Sequence, residues 1–422
     1  MTSRERRPWI IVAAVFVTLF LMWGGGVNTG PVFIAPLLKY FGWSRARVST
    51  IGAAGALMGG ACGPFVGWLV DRFEARKVMV AGALTAAAGF LVASRADSYG
   101  ALLAANLVVA IGVTAATLIP SSIVIAGWFD QRRRGLAMGM TFAGTSLGGA
   151  AMIVVANKAI AFGGWRAGYI TVALPMLVIV APLVLFVVRS RPADGATSVN
   201  DGSASVELPG VDLGEAFRTR SFWLIGIAEF CWACAIAGIL VHLVVYLIGA
   251  GYTASLSASC LSLVYLTATG GKLLIGPSAD RVSPRLVLSL VFMGAVLGTM
   301  FLLRASVGPM LVGSILLLGI AAGTPLVLFP LIFIQSLGVK RLGSVQGVAG
   351  IFATVGGAVG PVLAGRIFDL SASYAPAFSV FAAMWLAGGL AIYFCIPLEQ
   401  EMARLRSRTS IQLDAGVNPT TS

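Results

Sequence analysis

The chain alternates long apolar runs with short polar breaks, and the runs are long enough to cross a bilayer. A spanning helix needs ~20 apolar residues to traverse a hydrocarbon core ~30 Å thick. Twelve such runs can be drawn, at about 9–36, 46–70, 78–95, 100–127, 136–160, 166–188, 221–248, 254–278, 285–304, 309–337, 343–368 and 374–397. One long polar, Gly/Ser-bearing break at 190–220 separates an N-terminal six-span half (1–189) from a C-terminal six-span half (221–397). A polar tail follows at 398–422. The pattern predicts an all-α membrane protein of twelve transmembrane helices in two six-helix bundles.

Composition sharpens this picture. Residues are 58% hydrophobic and only 11% charged, about half the charge of a soluble protein. The formal net charge of +13 invites a nucleic-acid reading. With the N-terminus inside, however, about 20 Lys and Arg fall on the cytoplasmic side and about 8 outside, as the positive-inside rule requires. Both termini and the 190–220 linker are therefore expected in the cytoplasm, in a bacterial inner (plasma) membrane, and nucleic acid is not an expected partner. The first run follows RERRP but is too long for a signal-peptide core and lacks a cleavage site. Five cysteines lie within apolar runs, so Cys231-x-x-Cys234 reads as helix packing. A single histidine and no convergent nucleophile and base predict no metal, no cofactor and no enzyme activity.

Within the eighth run, LSASCLSLVYLTATGGKLLIGPS up to residue 278, the one charge is Lys272. It lies eight residues before Asp280, roughly 12 Å into the helix. An intramembrane ammonium costs a few kcal/mol by insertion scales and marks a functional site by default; the bland alternative is a snorkelling side chain. Gly271-Lys272 fails as a phosphate loop, because Leu266 and Leu273 stand where Gly and Ser/Thr belong.

Other polar positions could line a cavity around it. Span 1 ends in GGGVNTGPVF, where glycines and Pro31 loosen the helix and Asn28 and Thr29 offer hydrogen bonds. Span 4 carries Asn106, Thr114, Thr117 and Ser121 on one face, although Thr and Ser bonding to their own helix would explain them equally. Span 7 supplies Glu229, His242 and Tyr246, the last two one turn apart. Gly144-Thr145-Ser146-Leu147-Gly148 matches the hydrolase nucleophile pattern, but without a strand-turn-helix context it reads as packing.

The halves repeat one another. Gly67-x-x-x-Asp71-Arg72 recurs as Gly276-x-x-x-Asp280-Arg281, and Gly42-Trp43-Ser44 as Gly251-Tyr252-Thr253. Arg132, Arg133, Gly135, Gly139, Gly148 and Gly149 recur as Lys340, Arg341, Gly343, Gly347, Gly356 and Gly357. Lys272 falls opposite Gly63. Two six-span halves of the same orientation resemble the plan of the major facilitator superfamily. Gly67–Lys77 resembles that superfamily's G-x-x-x-D-R-x-G-x-R-K signature, with Glu74 where glycine is usual. The resemblance implies that Gly67, Asp71, Arg72, Gly276, Asp280 and Arg281 latch the cytoplasmic gate.

A narrower resemblance is to the monocarboxylate transporters and their oxalate/formate antiporter-like relatives. It rests on FGWSRARVS (41–49), WFDQRRRGLAMG (128–139), VHLVVYL around His242, and GKLLIGPSAD (271–280). The last resembles R-P-x-x-G-x-x-A-D, whose arginine binds the substrate carboxylate; Lys272 stands in its place, keeping the charge without the bidentate fork. Ala268 stands where the animal transporters carry a proton-coupling aspartate, which leaves His242 or Glu229 as titratable candidates. The implied protein is a secondary transporter of a small monocarboxylate of lactate or pyruvate type, working in membrane lipid as a monomer and coupled to protons. Lys272, His242, Asn28, Tyr246, Thr117 and Asn106 are expected to line its cavity. Carboxylate exchange and export of another small molecule are the alternatives.

Overall fold

A computed structural model describes residues 3–189, 210–305, 308–404 and 407. Most of the linker and the tail from 408 lie outside the described residues. The described chain is helical, and its one backbone bridge outside helices joins Gly210 to Gly338.

Among the described residues, ten stretches are long and apolar enough to span as they stand. One of them, Arg134–Val187, has 54 residues and would be ~80 Å long as a single helix. It breaks at Gly163 and Gly164, the latter at φ 71°, a left-handed conformation that glycine adopts without strain. That makes two spans of one. Gly308–Gly323 and Pro325–Leu337 meet at a 44° bend and form another, since Pro325 has no N–H to continue the first helix. Ten plus one plus one gives twelve, numbered here as in the sequence. Span 1 runs Arg6–Phe41, span 2 Arg45–Arg72, span 4 Tyr99–Trp128 and span 7 Arg220–Gly249. Span 8 runs Ser255–Asp280, span 11 Leu342–Ser371 and span 12 Ala375–Tyr393. Several outrun the apolar pattern by a turn, because polar ends cap and extend a helix beyond its buried length.

The end bearing the basic loops is the more fastened one. The last residues of the 190–220 stretch are docked instead of linking freely. Val211 N donates to Leu337 O at 3.0 Å. Asp212 closes a capping box on a one-turn helix, Leu213–Ala216, and pairs with Lys340 and Arg341 at 3.0 and 3.6 Å. Glu74, at φ −64°, needs no glycine-only conformation and pairs with Arg76 at 3.1 Å.

Close helix approach within each half follows the repeat. A Cβ at Gly148 of span 5 would lie 2.1 Å from the Phe20 carbonyl oxygen of span 1. Its counterpart Gly356 of span 11 would bring one to 2.4 Å from the Phe230 carbonyl oxygen of span 7. Without side chains there, backbones meet directly, which supplies the packing that lipid cannot drive. Gly148→Val or Gly356→Val should therefore destabilise the fold by about 1–3 kcal/mol. Gly30→Ala, which meets nothing within 4 Å, is the control. Thermal unfolding in detergent measures both, and equal midpoints for all three would refute this packing.

Candidate functional site

Lys272 is 2% exposed, among the most enclosed large side chains in the structure. Its Nζ donates to Thr145 Oγ1 and Ser146 Oγ of span 5, both at 2.7 Å. The bond crosses from the second half to the first. Thr145 in turn donates to Phe142 O at 2.8 Å, so its hydroxyl oxygen is left to accept from the ammonium. Two of the three ammonium donors are thereby used, and no carboxylate among the described residues pairs with it.

The backbone geometry explains how span 8 comes so near. A Cβ at Gly139 would sit 2.3 Å from Lys272 O, and one at Gly135 2.3 Å from Gly276 O. Glycine at 135, 139 and 276 lets spans 5 and 8 touch. Span 1 joins the same place. A π-helical turn, Gly24–Asn28, interrupts it, and Asn28 Nδ2 donates to Thr145 O at 3.1 Å. Asn28 and Lys272 thus share Thr145 from opposite halves.

The remaining cavity candidates lie elsewhere. Thr117 donates back to Val113 O at 2.7 Å, and Asn106 to Leu102 O at 2.9 Å, each within its own helix. Tyr246 donates to Leu302 O at 2.7 Å, closing the last turn of span 9. His242 has Nδ1 3.1 Å from Tyr374 Oη and Nε2 3.0 Å from Pro361 O. With a carbonyl as its partner, Nε2 must carry a proton, and Nδ1 can accept from the tyrosine. These four are not brought to Lys272 by any contact. Thr145 and Ser146 are the residues that sequence reasoning passed over. The glycines around them do pack, at Phe16 and Phe20, but the hydroxyls between those glycines face the lysine.

At the basic end the two halves hold each other by a matched pair of carboxylates. Asp71, at the end of span 2, accepts from Gly343 N at 2.9 Å and from Ser344 N and Oγ at 2.7 and 2.5 Å. Asp280, at the end of span 8, accepts from Gly135 N at 2.5 Å and Leu136 N at 2.9 Å. Each aspartate thus caps the N-terminus of a helix in the other half, where unpaired N–H groups and the macrodipole attract an anion. Gly67 meets Gly343, and Gly276 meets Gly135, at distances that exclude a Cβ. Arg72 and Arg281 are exposed, with Arg72 over the Trp68 ring at 5.4 Å. Deeper in, Ser122 donates to Gln346 Oε1 at 2.8 Å, again across the halves. Each of these hydrogen bonds between the halves lies between the basic end and mid-depth.

This geometry has a known setting. The family profile described as Major Facilitator Superfamily matches residues 15–361 and again 260–411. The chain belongs to the major facilitator superfamily. It is similar to MFS transporter asaE of Aspergillus flavus, 24% identical over 91% of this chain and 85% of that one. Monocarboxylate transporter 13 of Bos taurus is 26% identical over 92% and 90% of the two chains. The fold matches the major facilitator transporter FucP, solved in its outward conformation, with a TM-score of 0.70 at 18% identity over 92% and 99% of the chains. A superfamily member is a multi-pass membrane transporter of small molecules, built of two six-helix halves.

If the two aspartates fasten the closed basic end, Asp71→Asn and Asp280→Asn should each favour its opening. Hydrogen bonds to a charged group are worth about 1.5–3 kcal/mol, so neutralisation should shift the conformational balance by roughly tenfold or more. Cysteine accessibility from the two sides of the membrane reads this balance. Unchanged accessibility with altered substrate preference would show that the aspartates do something else.

Proposed function

We propose that the protein moves a small organic monocarboxylate, of lactate or pyruvate type, across the membrane by alternating access. The observation that carries this reading is Lys272: an enclosed ammonium between the halves, with hydroxyls on two of its donors and no carboxylate partner among the described residues. Burying such a charge is unfavourable unless something anionic joins it. A snorkelling lysine would reach the water at the basic end, whereas this one turns inward to span 5. Asn28, one bond away through Thr145, is positioned to add a neutral donor. A single cation suits a monoanion better than a dicarboxylate. The name of the bovine relative points the same way.

In this reading the basic end faces the cytoplasm of a bacterial inner membrane, with the termini on that side, and the aspartate caps close that end. Substrate enters from outside, pairs with Lys272 and leaves once the aspartate caps release. An inward-moving monoanion climbs ~2.3 kcal/mol per 100 mV of membrane potential. A co-transported proton cancels that charge, so we assign proton symport in a monomer. Carboxylate exchange would also avoid net charge movement, and export of an uncharged compound would not need Lys272 at all.

A screen of carboxylate uptake in proteoliposomes, with pH gradient and membrane potential varied separately, decides among these. Lys272→Gln should lower uptake on the order of a hundredfold, from about 3 kcal/mol for removing one partner of a buried pair. Lys272→Arg should keep part of the activity, because the charge remains. Uptake indifferent to the pH gradient yet dependent on internal anion would establish exchange. A Gln variant as active as wild type would remove the carboxylate assignment.

A further inference from the structure

Glu229 is the one carboxylate well inside a span, and nothing in the substrate site or the latches uses it. It is 8% exposed, and its Oε2 is enclosed without a hydrogen-bond partner. It lies nine residues beyond Arg220 on span 7, about 13 Å from the basic end and so level with Lys272. Its neighbours leave it electrically alone. Span 7 packs against spans 8, 10, 11 and 12. Span 10 carries no titratable residue. Span 12 carries only Tyr393, at its far end, and span 11 carries Arg366 and Asp369, about 24 residues from its start. Span 8 offers Cys260, Tyr265, Lys272 and Asp280; on span 7 itself are Arg220, Cys231, Cys234, His242 and Tyr246. None of these bonds to Glu229 or forms an ion pair with it among the described residues.

The repeat also gives Glu229 a counterpart in the first half. Gly148 packs on Phe20 and Gly356 on Phe230, so Leu19 of span 1 is the counterpart of Glu229. Leu19 belongs to the buried cluster that joins the first half to the second. The same register gives Glu229 the place on span 7 that a fully buried leucine holds on span 1.

We propose that the Glu229 carboxyl is a proton-binding site of the transport cycle, protonated while the basic end is closed and giving its proton to water once the halves part there. A lone carboxylate anion in a dry bundle is unfavourable, and the acid form is the one that can be buried. In the release step the O–H bond breaks, its electron pair stays on the carboxylate, and the proton passes to cytoplasmic water. His242 is less suited, since its ring nitrogens are already held by Tyr374 and Pro361.

The inference rests on the carboxylate reading for its coupling rule, which is charge balance. With substrate bound, Lys272 ammonium, substrate carboxylate and protonated Glu229 sum to zero. During the empty return the ammonium and an ionised Glu229 also sum to zero, and the carboxylate takes up its next proton once the basic end has closed. Substrate without the proton, or the proton without substrate, leaves an unbalanced charge in a low-dielectric site, and that state reorients poorly. A neutral substitute at 229 should therefore carry loaded substrate both ways but return empty only slowly.

The test uses full-length protein in proteoliposomes with a carboxylate confirmed by the uptake screen. Wild type should accumulate substrate about tenfold per unit of pH gradient. E229Q should accumulate none, yet exchange labelled for unlabelled substrate at a rate within about twofold of wild type. E229D should recover gradient-driven uptake. Infrared spectra of lipid-reconstituted protein at neutral pH should show a protonated-carboxyl C=O band that is absent in E229Q and shifted in E229D. The infrared arm needs no substrate, so it stands even if no carboxylate is transported; should E229Q not fold, the E229D shift still reports on the site. Gradient-driven accumulation by E229Q, loss of exchange in stably folded E229Q, or a Glu229 found ionised in the spectra would each overturn the proposal.

Discussion

An ammonium enclosed in a membrane protein must be solvated by the protein itself, and Lys272 sets that requirement for everything around it. Two hydroxyls of span 5 accept from it. They can do so only because the helices run backbone to backbone at Gly135, Gly139 and Gly276. A β-carbon at any of these would push span 8 away and leave the charge without its acceptors. Asn28 reaches the same threonine because span 1 loosens into a π-turn, and that turn fits because Gly24 lies against the backbone of Gly148. The glycine content is thus tied to the charge as well as to the fold.

The two halves share one architecture and differ in what they place at its centre. At the basic end the correspondence is close: Asp71 on the span 11 terminus, Asp280 on the span 5 terminus. One turn deeper comes Gly63 against Gly347, and opposite it Lys272 against Gly139. The symmetric part makes a joint that can close. The asymmetric part puts a single cation on one side of it, which is what the proposed recognition of a small monoanion calls for. Both sit in the region through which the halves are bonded, so an anion at Lys272 would bear directly on the contact that holds the basic end shut.

The architecture was largely legible in the sequence because the bilayer imposes it. Twelve apolar runs, a basic-loop asymmetry and a glycine repeat follow from helix length and backbone satisfaction, which operate locally. The 54-residue stretch divides at Gly163 and Gly164, in the gap between the apolar runs 136–160 and 166–188. Lys272 stood out for the same reason, as a charge where charges are costly. Its partners did not. Thr145 and Ser146 occur in a run whose glycines account for it fully as packing, and only the crossing of spans 5 and 8 turns two of its side chains to the lysine. The polar stripe of span 4 illustrates the reverse. Asn106 and Thr117 share a face by periodicity, but each bonds to its own helix, and periodicity cannot distinguish that from a wetted wall. His242 and Tyr246 likewise follow from contacts with Tyr374, Pro361 and Leu302, distant in sequence.

The most direct measurement is a double-mutant cycle between protein and ligand. Binding of a transported carboxylate and of its uncharged amide would be measured by calorimetry on purified wild type and Lys272→Gln, at matched thermal stability. If the ammonium holds the carboxylate, the acid should bind wild type far more tightly than the amide, and the Gln variant should lose that preference. A coupling energy of about 2 kcal/mol or more between the two changes is expected for charged partners in contact. Coupling near zero, with acid and amide affected alike by the substitution, would show that Lys272 does not hold the substrate.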